Sequence, residues 1–250
     1  MAGNGLAYSQ RFEYKYLLFE RQAELVRGFA WSHLVPDTHA DPRDGSGYLV
    51  YSLYLDSRDL RLYRSSATGE MNRFKLRARW YDDCPAAPVF LEIKARRNDV
   101  VSKQRGAVRK DCVERILQSF CVVPEDLCEA GECDPGASER FIELCAKLLA
   151  RPMVIIRYER EAYVAPDGRP LRLTMDRHIA CLRTNAACPT CDGPGWIDLD
   201  GQQAVLEVKF NDTFPVWARE MVRELDLVRV SVSKYVNSVD TLSQWGVAFA

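Results

Sequence analysis

The sequence predicts an α+β protein in which a closed antiparallel β-barrel of about eight strands is surrounded by helices. Several short segments alternate charged and apolar residues, which is typical of strands with one polar and one buried face. Glu-x-Lys recurs in three of these segments, at Glu13–Lys15, Glu92–Lys94 and Glu207–Lys209. Because regular helices do not separate the strands, a doubly wound parallel sheet is not expected. A barrel of this size leaves an interior for side chains or one slender ligand.

The first elements are a strand that begins at Arg11 and a helix over Glu20–Ala30. A second strand follows over Tyr48–Leu55. Asp56 and Ser57 are suited to cap the next helix, since their side-chain oxygens accept hydrogen bonds from backbone N–H groups of a first turn.

The stretch from Asn72 to Arg97 predicts a β-hairpin around which the other strands are arranged. Arg77 and Arg79 share one strand face, and Glu92 and Lys94 share another, because successive side chains of a strand point to opposite faces. An antiparallel hairpin brings these two faces together. The patch is either a solvated outer face or the lining of an interior around a charged ligand. The recurrence of Glu-x-Lys favours the lining.

The remaining chain alternates between helical and strand patterns. Gly106, inside the strand that follows the hairpin, is expected to mark a bulge. The predicted elements are a strand over Val100–Arg109, helices over Asp111–Cys121 and Ser138–Leu149, a hairpin of Met153–Val164 with Pro170–Leu182, a strand over Ala204–Phe210, a helix over Pro215–Val228 and a last helix after Tyr235.

Composition indicates a globular protein, and the length fits one large domain or two small ones. The 250 residues are 47 % apolar and 28 % charged, with a net charge of −1. This balance gives no overall basic field for nucleic acid, so any anion site must come from local clustering. No apolar run approaches the roughly 20 residues of a membrane span, and the N-terminal residues lack a signal-peptide core. We expect a cytoplasmic location. A peripheral position at a membrane, through a membrane-protein partner, is left open.

Nine cysteines are an odd count, and in a chain of this size without a signal peptide they predict reduced thiols rather than a disulfide framework. Cys188 and Cys191 form one CxxC, and Cys128 and Cys133 are a looser pair. Together these four thiols are one option for a zinc site, and a cysteine-bearing loop without metal is the other.

If the polar strand faces turn inward, lysines and arginines outnumber the carboxylates beside them. Such an excess of buried cations is costly unless a polyanion neutralises it. Arginine binds phosphate through a bidentate fork, and carboxylates among the cations suit Mg²⁺ or Mn²⁺ shared with phosphates. The sequence carries no GxxxxGK[ST] loop, GxGxxG fingerprint or GxSxG elbow. Phosphoryl transfer, which depends mainly on positioning and charge stabilisation, therefore fits best.

Six short motifs occur in an order that resembles the polyphosphate polymerase (VTC) domain family, one of the triphosphate tunnel metalloenzymes related to CYTH-type triphosphatases and adenylate cyclases. The motifs are KLRARWY, FLEIK, the Tyr-x-Arg-x-Ala of RYEREAY, LRLTMD, AVLEVK and SKY. The resemblance covers about residues 8–245 and implies a single domain over residues 1–250. The resemblance implies transfer of the ATP γ-phosphate to a growing polyphosphate chain in a basic tunnel, with ADP released and Mn²⁺ or Mg²⁺ required.

The resemblance also assigns roles to residues. Glu207 is the implied metal ligand. Six cations are implied to be catalytic, namely Arg77, Arg79, Lys94, Arg160, Arg172 and Lys234. The expected substrate-binding residues are Lys15, Lys103, Arg157, Lys209, Ser233, Glu13 and Glu92.

Two departures from the family pattern bear on activity. Ser231 stands where we expect a basic residue two positions before Ser233, which predicts weaker chain binding. The first strand carries Arg-x-Glu-x-Lys, which has one carboxylate fewer than the Glu-x-Glu-x-Lys of CYTH triphosphatases. This favours polymerase chemistry over two-metal hydrolysis. A triphosphatase or nucleotidyl cyclase of the same fold remains an alternative, as does a non-catalytic module that binds polyphosphate or inositol phosphate.

Overall fold

Alternation of polar and apolar residues produces ten strands and six α-helices in the described part of the computed structural model, which covers residues 11–39, 47–82, 84–85, 87–98, 100–187, 193–199, 201 and 203–249. The strands are β1 (Arg11–Phe19), β2 (Val35–Pro36), β3 (Tyr48–Asp56), β4 (Asn72–Trp80), β5 (Pro88–Arg97), β6 (Val100–Arg109), β7 (Arg151–Val164), β8 (Arg172–Arg183), β9 (Ile197–Asp198) and β10 (Gln203–Asn211). The helices are α1 (Glu20–His33), α2 (Arg61–Ala67), α3 (Val113–Ser119), α4 (Ala137–Leu148), α5 (Val216–Glu224) and α6 (Lys234–Gln244).

The strands form a large antiparallel sheet in the order β1-β10-β8-β7-β3-β4-β5-β6, with β2 on β7 and β9 on β8. The expected antiparallel sheet with helices is confirmed, but the expected closed barrel is not found, because no ladder joins β1 to β6 in the described residues. Other segments occupy both edges. Val230 N–H donates to Lys15 O on β1, at 2.9 Å, and Asp134 N–H donates to Arg105 O on β6, at 2.7 Å.

Contacts between Cα atoms divide the chain into two compact units. The first comprises the described residues of Met1–Tyr48, Glu159–His178 and Asp200–Val232. Its apolar strand faces pack with α1 and α5, in a core that includes Leu18, Leu206 and Met221. Burying such side chains stabilises each by about 1.5–3 kcal/mol. The charged side chains of the same strands point to the other face.

The second unit comprises the described residues of Leu49–Tyr158, Ile179–Leu199 and Ser233–Ala250. Leu76, Trp80 and Leu91 of the central hairpin pack with Ile116 of α3 and Phe141 of α4. The apolar face of the hairpin is thus covered by helices, and its polar face is the one that carries Arg77 and Glu92.

Gly106 does not mark a bulge. The ladder between β5 and β6 runs without interruption through the pair Leu91 and Gly106. The residue is glycine because α4 approaches closely: an added Cβ would lie 2.1 Å from Ser138 Oγ and 2.7 Å from Ser138 N.

Asp56 and Ser57 are not the N-cap of α2, which is Leu60. Their side chains nevertheless accept hydrogen bonds from its first turn, Ser57 Oγ from Arg61 N–H at 3.1 Å and Asp56 Oδ1 from Leu62 N–H at 2.9 Å.

Two further observations bear on the sequence expectations. No α-helix in the described ranges is long and apolar enough to cross a membrane. Cys128 and Cys133 are free thiols, and Cys188 and Cys191 lie outside the described residues.

Candidate functional site

Strands β4, β5 and β6 align their charged residues in rows across one face of the second unit. Lys94 lies opposite both Lys75 and Lys103, and Glu92 lies opposite both Arg77 and Arg105. We call this surface the cationic face. It comprises Lys75, Arg77, Arg79, Glu92, Lys94, Lys103 and Arg105.

Glu92 is the acidic residue of the cationic face, and it is 1 % exposed. Its Oε2 lies 2.6 Å from Arg77 Nη2, and its Oε1 lies 2.8 Å from Lys103 Nζ and 3.3 Å from Arg105 Nε. Burial alone would raise the pKa of Glu92, but the charges of Arg77, Arg79 and Lys103 outweigh it and hold this pKa well below its usual range. One ionised carboxylate therefore faces six cations.

The cations of this face also perturb one another. Burial lowers the pKa of Lys103; Glu92 opposes this effect, whereas Arg105 and Arg77 add to it. Like charges placed this closely disfavour their own ionised forms. A bound anion would relieve this repulsion, and arginine forks with lysine point charges are the groups that bind phosphate.

Tyrosines of β3 and β7 border the cationic face. Arg77 Nη1 donates to Tyr54 Oη at 3.3 Å, and Arg79 Nη2 donates to Tyr158 Oη at 2.8 Å. Burial would raise the pKa of Tyr54, but Arg77, Lys75 and Arg79 lower it to about 8. The phenol of Tyr54 is therefore partly ionised at mildly alkaline pH.

The start of α6 brings the Ser-Lys-Tyr motif to the same face. Lys75 Nζ donates to Ser233 Oγ at 2.7 Å, and Ser233 Oγ also accepts from Val236 N–H as the helix cap. Lys234 Nζ lies 4.8 Å from the ring centroid of Tyr158. Tyr235 fixes the helix start, since its ring stacks on Tyr54 with centroids 4.8 Å apart.

A separate group of charges lies on β1 and β10 of the first unit, where Glu13 is opposite Lys209 and Lys15 is opposite Glu207. Lys15 Nζ is 2.8 Å from Glu207 Oε1 and 3.1 Å from Glu13 Oε1. Lys209 Nζ is 3.0 Å from Glu207 Oε2. Burial lowers the pKa of Lys15, but Glu207 and Glu13 outweigh it and raise this pKa above its usual value. We call these four residues the carboxylate–lysine group.

Arg160 and Arg172, two predicted catalytic cations, are each paired with an aspartate of the first unit. Arg160 donates to both carboxylate oxygens of Asp176, at 2.6 and 2.7 Å. Arg172 Nη2 donates to Asp37 Oδ2 at 2.6 Å.

Arg157, a predicted substrate-binding residue, is not brought to the face of β7 that carries Tyr158. Its guanidinium carbon lies 4.3 Å from the ring centroid of Trp196. Adjacent residues of a strand point to opposite faces, which accounts for the separation of Arg157 from Tyr158.

The VTC domain family matches residues 10–243 of this sequence. The chain belongs to this family. Subunit 4 of the vacuolar transporter chaperone complex of Schizosaccharomyces pombe is 25 % identical to it over 230 residues. That alignment covers 77 % of this chain and 32 % of the relative, so the chain corresponds to less than half of that protein.

A solved structure shares the fold of this VTC domain. It is a candidate adenylate cyclase from Bacillus halodurans, with a TM-score of 0.50 and 13 % sequence identity. The match covers 90 % of the VTC domain and 94 % of that chain, and at this identity it concerns the fold alone. The expected resemblance to the VTC domain family is confirmed by the family match over residues 10–243.

The carboxylates of this VTC domain are too few to fill the coordination shell of a divalent cation by themselves, so water or substrate oxygens would have to complete it. No group of three or more His, Cys, Asp or Glu residues suited to hold a metal occurs in the described part of the chain. Glu207 and Glu13 supply two carboxylates, and both contact lysines. Mg²⁺ typically binds one or two carboxylates and completes its shell with water and substrate phosphates. The donor set fits a metal of that kind.

The site residues expected from the sequence did not include four residues of the cationic face and its border. Lys75 shares the strand parity of Arg77, and Arg105 that of Lys103, so parity alone indicates both. The two tyrosines, Tyr54 and Tyr158, carry no comparable sequence signal, because aromatic residues at strand positions are more often packing residues.

Proposed function

We propose that this VTC-domain protein is a divalent-metal-dependent polyphosphate polymerase that uses ATP. The observation that carries the proposal is the cationic face, where six lysines and arginines accompany one buried carboxylate. Such an excess requires a polyanion, and family membership points to a phosphate chain. The fold likeness to a cyclase-type protein is compatible with a nucleotide substrate.

In the proposed reaction, an oxygen of the terminal phosphate of the chain attacks the γ-phosphorus of ATP. A new P–O bond forms, the bond between the γ-phosphorus and the β,γ-bridging oxygen breaks, and ADP leaves with that oxygen. Phosphoryl transfer needs mainly alignment and stabilisation of charge on the transferred group. We assign these roles to Arg77, Arg79, Lys94, Lys103 and Lys234.

Ser233 and Lys75 have a supporting role in this proposal. Their hydrogen bond links the first turn of α6 to the cationic face, which positions Lys234. Glu92 keeps Arg77 and Lys103 in place through two ion pairs. Because these supports are themselves held by the sheet and by α6, the phosphate-binding groups are organised before substrate arrives.

We assign metal binding to Glu207, with Glu13 beside it. A bound Mg²⁺ or Mn²⁺ would supply neutralisation of phosphate charge. Lys15 and Lys209 hold the Glu207 carboxylate from two sides and fix its orientation.

Arg160 and Arg172 orient the strands that carry them through their pairs with Asp176 and Asp37. Because the S. pombe relative is a subunit of a complex, we extend the proposal to a protein partner at a membrane.

The test is incubation of the purified chain with ATP and MgCl₂ or MnCl₂. Polyphosphate is read on a stained polyacrylamide gel, and ADP is measured by chromatography. We expect polyphosphate chains to form with the metal and not to form when a chelator is present. One ADP should be released for each phosphate incorporated. Glu207→Gln is expected to lower the rate about 100-fold or more, since metal neutralisation contributes several kcal/mol to such reactions. Glu24→Gln, at an exposed position of α1, is the matched control.

Two outcomes would overturn the proposal. Release of orthophosphate without chain growth would identify a triphosphatase. Binding of tripolyphosphate without turnover of ATP would identify a non-catalytic module.

A further inference from the structure

The cationic face continues past Lys75 and Lys94 toward the end of the sheet where β5 turns into β6. The next row consists of Arg73, which lies directly opposite Arg96. Rows on one face of a strand are two residues apart, so each row is about 7 Å from the next. Arg73 is therefore about 13 Å from Arg77 along β4.

Arg73 and Arg96 line a cavity of about 260 Å³, together with Gly69, Met71 and Asn98. Backbone carbonyls fix both guanidinium groups: Arg73 Nη1 donates to Glu70 O, and Arg96 Nε donates to Asn98 O at 2.9 Å. Burial lowers the pKa of Arg73, and the charge of Arg96 lowers it further. Two like charges are thus held across one concave site, an arrangement that an anion stabilises.

The lining of this cavity narrows the chemistry of the ligand. The five residues include no aromatic side chain on which a nucleotide base could stack and no acidic side chain that would bind a cation. Two arginine forks are instead suited to phosphate oxygens. The position in line with the rows of the cationic face favours a ligand that extends over several rows.

We propose that Arg73 and Arg96 form a distal subsite that binds phosphate groups of an extended polyphosphate chain, and this rests on the proposed function. The distal subsite contacts phosphates that a short chain bound at Arg77 does not reach. It contributes to affinity for long chains and not to affinity for tripolyphosphate.

The test is equilibrium binding of inorganic phosphate chains, without ATP or metal. Calorimetry compares tripolyphosphate with long-chain polyphosphate on the wild type and on the double variant Arg73→Ala with Arg96→Ala. We expect the double variant to bind long chains about tenfold more weakly, as loss of charge-assisted contacts predicts, with tripolyphosphate affinity unchanged within twofold. Arg97→Ala is the matched control, because Arg97 is exposed, adjacent to Arg96 and of opposite strand parity.

Several outcomes would overturn the distal subsite. These are an unchanged long-chain affinity, an equal loss for both ligands, or the same loss in Arg97→Ala. Arg73→Lys with Arg96→Lys keeps both charges but loses both forks, so its long-chain affinity is expected to lie between those of the wild type and the alanine variant. This intermediate affinity, with unchanged urea unfolding of the alanine variant, separates lost binding from a folding defect.

A lipid headgroup presents the same phosphate chemistry, so a second arm uses vesicles that contain phosphatidic acid. Loss of vesicle binding in the double alanine variant, with long-chain affinity intact, would assign the arginines to a membrane and reject the proposal. The calorimetry measures binding and not turnover, so the two proposals can fail separately. Absence of polyphosphate synthesis would count against the proposed function, whereas the binding data alone decide on the distal subsite.

Discussion

Arg77 lies directly opposite Glu92 in the ladder between β4 and β5, and its Nε and Nη2 atoms are each 2.6 Å from Glu92 Oε2. This contact is buried, and Lys103 closes it from β6 with an Nζ–Oε1 distance of 2.8 Å. The pair shows how the cationic face is built, since one buried carboxylate contacts cations of the two neighbouring strands.

Glu92→Gln is expected to destabilise the fold. Removing one partner of a buried ion pair costs about 3–5 kcal/mol, because the remaining charges lose their compensation. Urea unfolding measures the loss, and Glu143→Gln, an exposed salt-bridged position of α4, is the control. Added tripolyphosphate is expected to restore more stability to Glu92→Gln than to the wild type. An equal gain in both proteins would show that the cations of this face do not meet the ligand.

The loss of stability in Glu92→Gln is expected to depend on pH, because the pKa of Glu92 is lowered in the folded protein. A carboxylate whose pKa is lower in the folded state stabilises the fold above its unfolded pKa, which is about 4.3, and loses this contribution as the pH falls through the folded value. The gap in unfolding free energy between wild type and Glu92→Gln is therefore expected to be full at pH 6 and to shrink in acid.

Tyr54 is expected to ionise near pH 8, since Arg77, Lys75 and Arg79 lower its pKa against the opposing effect of burial. An ultraviolet pH titration of the wild type should show a phenolate that forms in this range and that Tyr54→Phe lacks. Tyr63→Phe is the control, because the hydrogen bond to Asp240 raises the pKa of Tyr63. Tripolyphosphate should move the Tyr54 transition upward by neutralising the cations. A transition insensitive to tripolyphosphate would contradict binding at Arg77.

Gly106→Ala is expected to destabilise the second unit by about 1–3 kcal/mol, the usual effect of overpacking. The added Cβ meets Ser138 Oγ and, less avoidably, Ser138 N of α4. Gly28→Ala in α1 is the control, since nothing lies within 4 Å of its added Cβ. It is expected to gain about 0.5–1 kcal/mol of helix stability. Equal thermal shifts in the two variants would show that α4 does not approach β6 so closely.

Strand parity made the charged faces predictable from sequence. Lys75, Arg77 and Arg79 alternate with Leu76 and Ala78, and local sterics place alternating residues on opposite faces whatever the rest of the chain does. The same local logic predicted the pairing of the central hairpin. Parity also explains why Arg157 and the adjacent Tyr158 lie on opposite faces of β7.

Closure of the sheet was not predictable in this way. Alternation describes each strand by itself, whereas closure depends on which backbone groups meet at the two edges. Lys15 O accepts from Val230, and Arg105 exchanges hydrogen bonds with Asp134, so β1 and β6 each pair with a segment distant in sequence. No local pattern near Lys15 or Arg105 indicates these partners.

The sequence by itself determined the family, the antiparallel strands and which charges share a strand face, because those properties are encoded in local alternation and short motifs. Tertiary structure alone decided how each charge is compensated. Arg172 meets Asp37 across 135 positions of sequence, and Lys15 meets Glu207 across 192. Such pairs form only when the folded backbone brings distant strands together. For Lys15, the charges of Glu207 and Glu13 then raise its pKa above the usual value, against the opposing effect of burial.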